Sequence, residues 1–212
     1  FSGGSRSMFA LPLARALEEE LAAGRKAVLL LNQRGFAKFL LCRECGFVPE
    51  CPSCSTSLTF HERGNFLVCH HCGYAVAAPP TCPECGSRYI RYFGSGTQRV
   101  EEELAQMFPA ARVLRMDLDT TSRKNAHETM LRRFAKGEYD IMLGTQMVAK
   151  GLNFPGVTLV GVLSADQALY GDDFRSYERA FSLLTQVVGR SGRGELRGQA
   201  IIQTFTPENP VI

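Results

Sequence analysis

The sequence predicts an α/β fold on a mainly parallel sheet, carrying a small inserted module with two zinc sites. Three observations predict it. Short apolar runs alternate with amphipathic helical stretches, the pattern of parallel strands covered by helices. Polar or glycine-containing turns follow three of those runs, at 32–35, 117–121 and 144–151. All eight cysteines fall in one stretch, from Cys42 to Cys85, and they form four C-x-x-C pairs.

The elements follow in order. Residues 1–7 are rich in Gly and Ser and read as a linker or an expression remnant. The chain has no initiator Met and reads as a fragment. Residues 11–23 read as a helix, with Leu13, Leu17 and Leu21 recurring every four residues and Gly24 as its stop. Residues 26–31 (KAVLLL) read as a buried strand. In the cysteine stretch, 57–60 and 66–68 read as a hairpin turning at Gly64-Asn65. The α/β rhythm resumes after Cys85. A helix runs from Thr97, its expected N-cap, to about Phe108, with Val100, Leu104 and Met107 on one face. Then come a strand at 112–116, a helix at 122–136 and a strand at 139–143. A loop with three glycines at 144–156 leads to a strand at 157–163. The helix at 176–188 is expected to turn Tyr177, Ala180, Phe181, Leu184 and Val188 inward, and 198–205 reads as the last strand. In such a sheet, turns after the strands gather at the carboxyl edge, where α/β proteins bind ligands.

The pairs are Cys42/Cys45, Cys51/Cys54, Cys69/Cys72 and Cys82/Cys85. Each C-x-x-C turn supplies half of a tetrahedral zinc site, so four make two sites. Fourteen residues separate Cys54 from Cys69, enough for a hairpin, whereas five separate Cys45 from Cys51. Nested pairing follows. Cys51, Cys54, Cys69 and Cys72 hold one Zn²⁺, and Cys42, Cys45, Cys82 and Cys85 hold the other; interleaved pairing would cross the two connections. A disulfide framework is the competing reading, and the absence of a signal peptide argues against it. Both sites are complete with four thiolates, so the zinc is structural. His61, His70 and His71 then read as surface or loop residues rather than ligands.

Composition narrows the remaining classes. The chain has 212 residues, is 45% hydrophobic and can bury a core. No apolar run reaches membrane-spanning length. The formal charge is +3, and eight thiolates with two Zn²⁺ bring it to about −1. Bulk charge therefore gives no argument for nucleic acid.

At 186–194 the sequence is Gln-Val-Val-Gly-Arg-Ser-Gly-Arg-Gly. Arg190 and Arg193 lie three apart and can share a helical face. Two guanidinium forks there can clamp a phosphoryl group. Alone, such a pair reads as a solvated basic turn. In context it resembles motif VI (Q-x-x-G-R-x-G-R) of superfamily 2 helicases. Residues 144–151 (GTQMVAKG), with Phe154-Pro155 and 157–160, resemble motif V, and 26–35 resemble motif IV. The chain also has L-N-x-R-G-F at 31–36, D-x-D-T-T-S-R-K at 117–124 and D-F-R-S-x-E-R at 173–179. With the paired cysteines, these are similar to the PriA family of replication-restart helicases over residues 8–212.

The resemblance implies the second RecA-like motor lobe at 8–40 and 94–212, with the zinc module inserted at 41–93. It implies a protein that recognises stalled or recombined forks, unwinds DNA 3′ to 5′ with ATP and Mg²⁺, and seeds primosome assembly. Arg190 and Arg193 would act as arginine fingers and Gln186 would couple them to the interface. Gly151 and Asn153 would face the nucleotide. Thr145, Gln146, Lys150, Thr97 and Arg34 are candidate DNA contacts, although small residues and caps in such turns also serve the turn itself. Aromatic residues around the module, such as Phe60 and Tyr89, either stack on bases or pack beside the metals. Implied partners are forked DNA, single-stranded DNA-binding protein and primosome proteins, in a bacterial, nucleoid-associated, cytoplasmic setting. No G-x-x-x-x-G-K-[ST] or D-E-x-H sequence occurs. The chain alone is therefore expected not to hydrolyse ATP. A non-motor adaptor, working through the zinc module on an inactive lobe, is the other function class.

Overall fold

The structure is a computed structural model that describes residues 7–31, 39–93, 96–116, 126–145, 156–170, 175–188 and 198–212. In chain order the elements are α1 (Leu11–Ala22), β1 (Lys26–Leu30), β2 (Phe39–Cys42), β3 (Thr59–His61), β4 (Phe66–Val68), β5 (Ala75–Ala77) and β6 (Ile90–Phe93). Then follow α2 (Thr97–Met107), β7 (Val113–Met116), α3 (Ala126–Ala135), β8 (Ile141–Gly144) and β9 (Val157–Val162). The last are α4 (Asp166–Leu169), α5 (Ser176–Val188) and β10 (Gln199–Ile202). The chain forms two compact units, one of residues 1–32, 95–164 and 182–203, the other of 33–94, 165–181 and 204–212.

The first unit holds a five-stranded sheet in the order β10-β9-β1-β8-β7, with every pair parallel. β1 is central because its apolar run can be buried on both faces, and Ala27–Leu30 are all buried. The charged residue at its start has its own partners. Lys26 Nζ donates to the Phe134 and Ala135 carbonyls at 3.0 and 3.1 Å, satisfying acceptors at the end of α3.

α1 shows why its sequence starts and stops where it does. Pro12 sits in the first turn, where its missing N–H is harmless. Gly24 takes φ +67, and the N–H groups of Gly24 and Arg25 donate back to Leu21 and Glu20 at 3.0 and 2.9 Å. Leu13 and Leu17 are fully buried in a core with Leu29, Val100, Leu104 and Leu159. Gly161 of β9 permits this approach, since a Cβ there would lie 2.7 Å from Leu29 Cδ2 and 2.9 Å from Leu13 Cδ1.

The second unit holds an antiparallel sheet in the order β5-β4-β3-β2-β6. β2 and β6 pair from Phe39↔Phe93 to Cys42↔Ile90, so the cysteine-rich stretch starts and ends on neighbouring strands. All four β2 residues are buried. Leu40 packs with Leu58, Leu67 and Ile90, while Phe39 and Leu41 pack with Val48, Tyr170 and Phe205. The fully buried Asp166 fixes the later segment of this unit. Its carboxylate accepts from the hydroxyls of Thr204 and Thr206 at 3.0 and 2.9 Å, and from the Phe205 N–H at 3.0 Å.

Three expectations are corrected. Thr97 is not the N-cap of α2: Gly96 already holds the extended cap conformation, accepts the first backbone bonds, and leaves Thr97 inside the first turn. In α5, Tyr177, Phe181 and Val188 are exposed, at 42%, 58% and 51%. The buried stripe runs through Ala180, Leu183, Leu184 and Val187, an arc turned from the expected one. The last strand stops at Ile202 rather than 205, because Asp166 captures the backbone and hydroxyls of 204–206.

Candidate metal centre

Each C-x-x-C pair folds into the same turn. The N–H of Gly46, Ser55, Gly73 and Gly86 donates to the carbonyl of the cysteine four residues earlier, each at 2.9 Å. The first cysteine of each pair in turn donates to the carbonyl five residues on, at Phe47, Thr56, Tyr74 and Ser87, within 2.8–2.9 Å. This closure demands a positive φ at the residue after the second cysteine, and the four residues there have 77°, 51°, 77° and 72°. Glycine supplies it three times and Ser55 once. The first cysteine of each pair is buried, while the second is exposed or, at Cys54, half-buried.

Long-range pairing of these turns makes two quartets. The sulfurs of Cys42, Cys45, Cys82 and Cys85 lie within 4.8 Å of one another, as do those of Cys51, Cys54, Cys69 and Cys72. Nested pairing is therefore the arrangement the fold adopts, and no histidine enters either group. His61 instead stacks on Phe66, with ring centroids 5.0 Å apart. No disulfide joins any of the eight cysteines.

The quartets fit Zn²⁺ on geometry and charge. A tetrahedron of Zn–S bonds near 2.3 Å sets its sulfurs about 3.8 Å apart. Here Cys42–Cys85 and Cys45–Cys82 are 3.6 Å apart and Cys51–Cys72 is 3.5 Å. Burial raises the Cys42 thiol, but the Cys45 and Glu44 N–H groups outweigh it and bring Cys42 down to about 7. The Cys72 N–H leads in lowering Cys69 to about 6, assisted by the His71 N–H and the Thr56 hydroxyl. The second cysteines carry the opposing cost. Burial and neighbouring thiols push Cys45 up to about 12, and the Cys72 thiol leads in pushing Cys54 to about 12. Four crowded thiols do not all ionise by themselves; a divalent cation makes the fully ionised quartet favourable. With four protein ligands no position is open for a reacting water, so the zinc holds structure.

The other candidate residues divide between described and undescribed stretches. Met116 ends β7, while Leu31 and Thr145 directly follow β1 and β8, and the three strands are parallel neighbours. The chain thus leaves all three at one carboxyl edge, at the start of the segments 32–35, 117–121 and 146–151. Thr145 is half-buried directly after β8. Gln186 is half-buried near the end of α5, and Thr97 is only 5% exposed. Arg34, Gln146, Lys150, Gly151, Asn153, Arg190 and Arg193 lie outside the described residues. Sequence reasoning missed Asp166; its only signal is an acid next to an apolar stretch. No described helix is long and apolar enough to cross a membrane.

Comparison with known proteins agrees with this geometry. The "PriA DNA helicase Cys-rich region (CRR) domain" matches residues 51–76, and the "Helicase conserved C-terminal domain" matches residues 87–195. Replication restart protein PriA of Bacillus subtilis is 60% identical over 206 residues, covering 97% of this chain and 26% of the relative. The Synechocystis protein of the same name is 51% identical, covering 99% of this chain and 26% of the relative. The chain thus spans about a quarter of the length of these relatives. Among solved structures, the Hef helicase domain of Pyrococcus furiosus is 14% identical with a TM-score of 0.41, over 91% of this chain and 24% of that one.

Proposed function

The chain belongs to the helicase conserved C-terminal domain family, and on that ground we propose that it is the second motor lobe and zinc module of an ATP-dependent replication-restart DNA helicase. The observation that carries the reading is a single chain joining that lobe to two nested Cys₄ sites, and its relatives at 60% and 51% identity are named replication restart protein PriA. In the longer protein, ATP and Mg²⁺ would sit between this lobe and a first lobe holding the phosphate cradle. Arg190 and Arg193 would stabilise charge developing on the transferred phosphoryl group, with Gln186 linking them to the interface. Gly151 and Asn153 would line the nucleotide.

The carboxyl edge supports the DNA assignments. Three adjacent parallel strands end there, and the segments that follow carry Arg34, Thr145, Gln146 and Lys150, which would hold strand phosphates. Thr97, in the first turn of α2, is the further proposed contact. Forked DNA is the proposed substrate, and unwinding runs 3′ to 5′. Single-stranded DNA-binding protein and primosome proteins are the proposed partners, in the nucleoid of a bacterial cytoplasm. The compact zinc module, with its own sheet and core, supports a docking role.

The test is DNA-stimulated ATPase activity of this chain, and of a longer chain carrying the first lobe. Activity in the longer chain alone supports a composite site completed by this lobe's arginines. Zinc-dependent DNA binding without ATPase in either chain would replace the motor by an adaptor.

A further inference from the structure

The zinc module leaves one edge of its antiparallel sheet open. β5 pairs with β4 alone and ends the strand order on that side. The register decides which backbone groups are used. The Tyr74 carbonyl accepts from Cys69 N–H at 2.8 Å, and Ala78 N–H donates to the Asn65 carbonyl at 3.0 Å. Because bonding alternates along an antiparallel strand, Val76 also faces β4, paired with Leu67. The N–H and C=O groups of Ala75 and Ala77 therefore point away from the sheet. No described strand pairs with that side, and all three residues of β5 are exposed.

Two further features bear on what could occupy this edge. Natural edge strands are blunted by shortness, charged side chains, Pro or a bulge. β5 is short, at three residues, but it reads Ala-Val-Ala, with no charge, Pro or bulge within it. Beside it lies a groove of about 610 Å³ whose lining includes Phe47, Leu58, Leu67, Tyr74 and Val76. Glu50 is the sole Asp, Glu, Lys or Arg among the lining residues. A lone carboxylate disfavours phosphate and favours a cationic side chain.

We propose that β5 docks an extended peptide segment of a partner protein, which pairs with Ala75 and Ala77 as an added strand. One apolar side chain of the segment enters the groove, and a Lys or Arg faces Glu50. Main-chain pairing supplies affinity in such additions, and the pockets for alternate side chains supply selectivity. Alanines at the two outward positions suit this, because they leave the approaching backbone unobstructed. The proposal needs only the folded zinc module and is independent of the motor assignment.

The test pans a random-peptide phage library against the zinc-loaded chain, then measures affinities of the synthetic winners by fluorescence anisotropy. The expected winners alternate apolar and basic residues. Ala77→Pro removes one outward N–H without touching the ladder to β4, and is expected to weaken binding at least tenfold. Glu50→Gln is expected to erase the preference for Lys and Arg. Zinc content and circular dichroism of both variants should match the parent, which separates lost docking from lost folding. No enrichment, or winners insensitive to Ala77→Pro, would overturn the proposal. So would winners displaced by duplex DNA, or sedimentation showing a dimer that covers β5 with a second copy.

Discussion

A Cβ on Gly46 would stand 2.6 Å from Thr206 Cγ2 and 3.1 Å from the Phe205 carbonyl oxygen. Gly46 also has φ +77, so two separate costs forbid a side chain there. Gly86 holds φ +72 in the equivalent turn, and a Cβ on it would meet nothing within 4 Å. Gly86→Ala should cost about 1–2 kcal/mol, from the left-handed backbone alone. Gly46→Ala should cost about 1–3 kcal/mol more, from overpacking. Thermal unfolding of the zinc-loaded variants reads both, and equal losses would refute the Thr206 contact.

Ser55 is the exception among the four metal-binding turns, a non-glycine residue at φ +51. Ser55→Gly removes that strain and should stabilise the zinc-loaded module by about 1 kcal/mol. An unchanged or lower unfolding midpoint would show that the serine side chain compensates.

Chelation should unfold the antiparallel sheet and leave the parallel sheet folded, since each has its own buried core. Structural zinc binding is worth on the order of 10 kcal/mol, more than a small module's own margin. Cys69→Ser should lower the zinc content from about two to about one per chain, because only one quartet loses a ligand. Metal analysis with circular dichroism checks both, and loss of all structure on chelation would deny separate cores.

Asp140 ties the start of β8 to the residue before β7. Its carboxylate accepts from Arg112 N–H at 2.8 Å, Nε at 3.0 Å and Nη2 at 2.7 Å. The Arg112 side-chain bonds lead in holding its carboxyl below the usual range, against burial. A depressed carboxyl adds stability above its unfolded pKa, near 3.9, and loses it as pH falls toward the folded value. Asp140→Asn should therefore lower the unfolding temperature at pH 7, with the gap to the parent narrowing below about pH 4. A constant gap at all acid pH values would remove the carboxylate from the explanation.

In the longer helicase proposed above, Arg193→Ala should cut kcat for ATP by about 10²–10³-fold while leaving DNA affinity unchanged, as the proposed loss of transition-state stabilisation requires. Steady-state ATPase and a DNA-binding titration separate the two. A normal turnover rate would exclude Arg193 as the finger.

The parallel sheet was legible because its strands are continuous apolar runs, such as 26–30 and 157–162, separated by glycine-punctuated helices. Both quartets were legible because short and long loops between cysteines close differently. Less legible was the antiparallel sheet. β5 is three small exposed residues with no pattern to find, and the Phe39-Leu40-Leu41 run of β2 leads directly into a metal ligand. Tyr177 and Phe181 misled because bulky aromatic residues invite an inward assignment, whereas the buried arc follows Leu183 and Val187. Asp166 went unseen because its partners, Thr204 and Thr206, lie 38 and 40 residues away.

The nested quartets impose a schedule on metal uptake. The Cys51/Cys54/Cys69/Cys72 set spans a short loop and is complete once its hairpin has been synthesised. The outer set must wait for Cys82 and Cys85, and a closed inner set leaves it only the segments 46–50 and 73–81 to order, so the first metal eases the second. A chain emerging from the ribosome under zinc scarcity would therefore fill the inner position first. Scarcity would show as a half-metallated population holding its metal at the inner quartet.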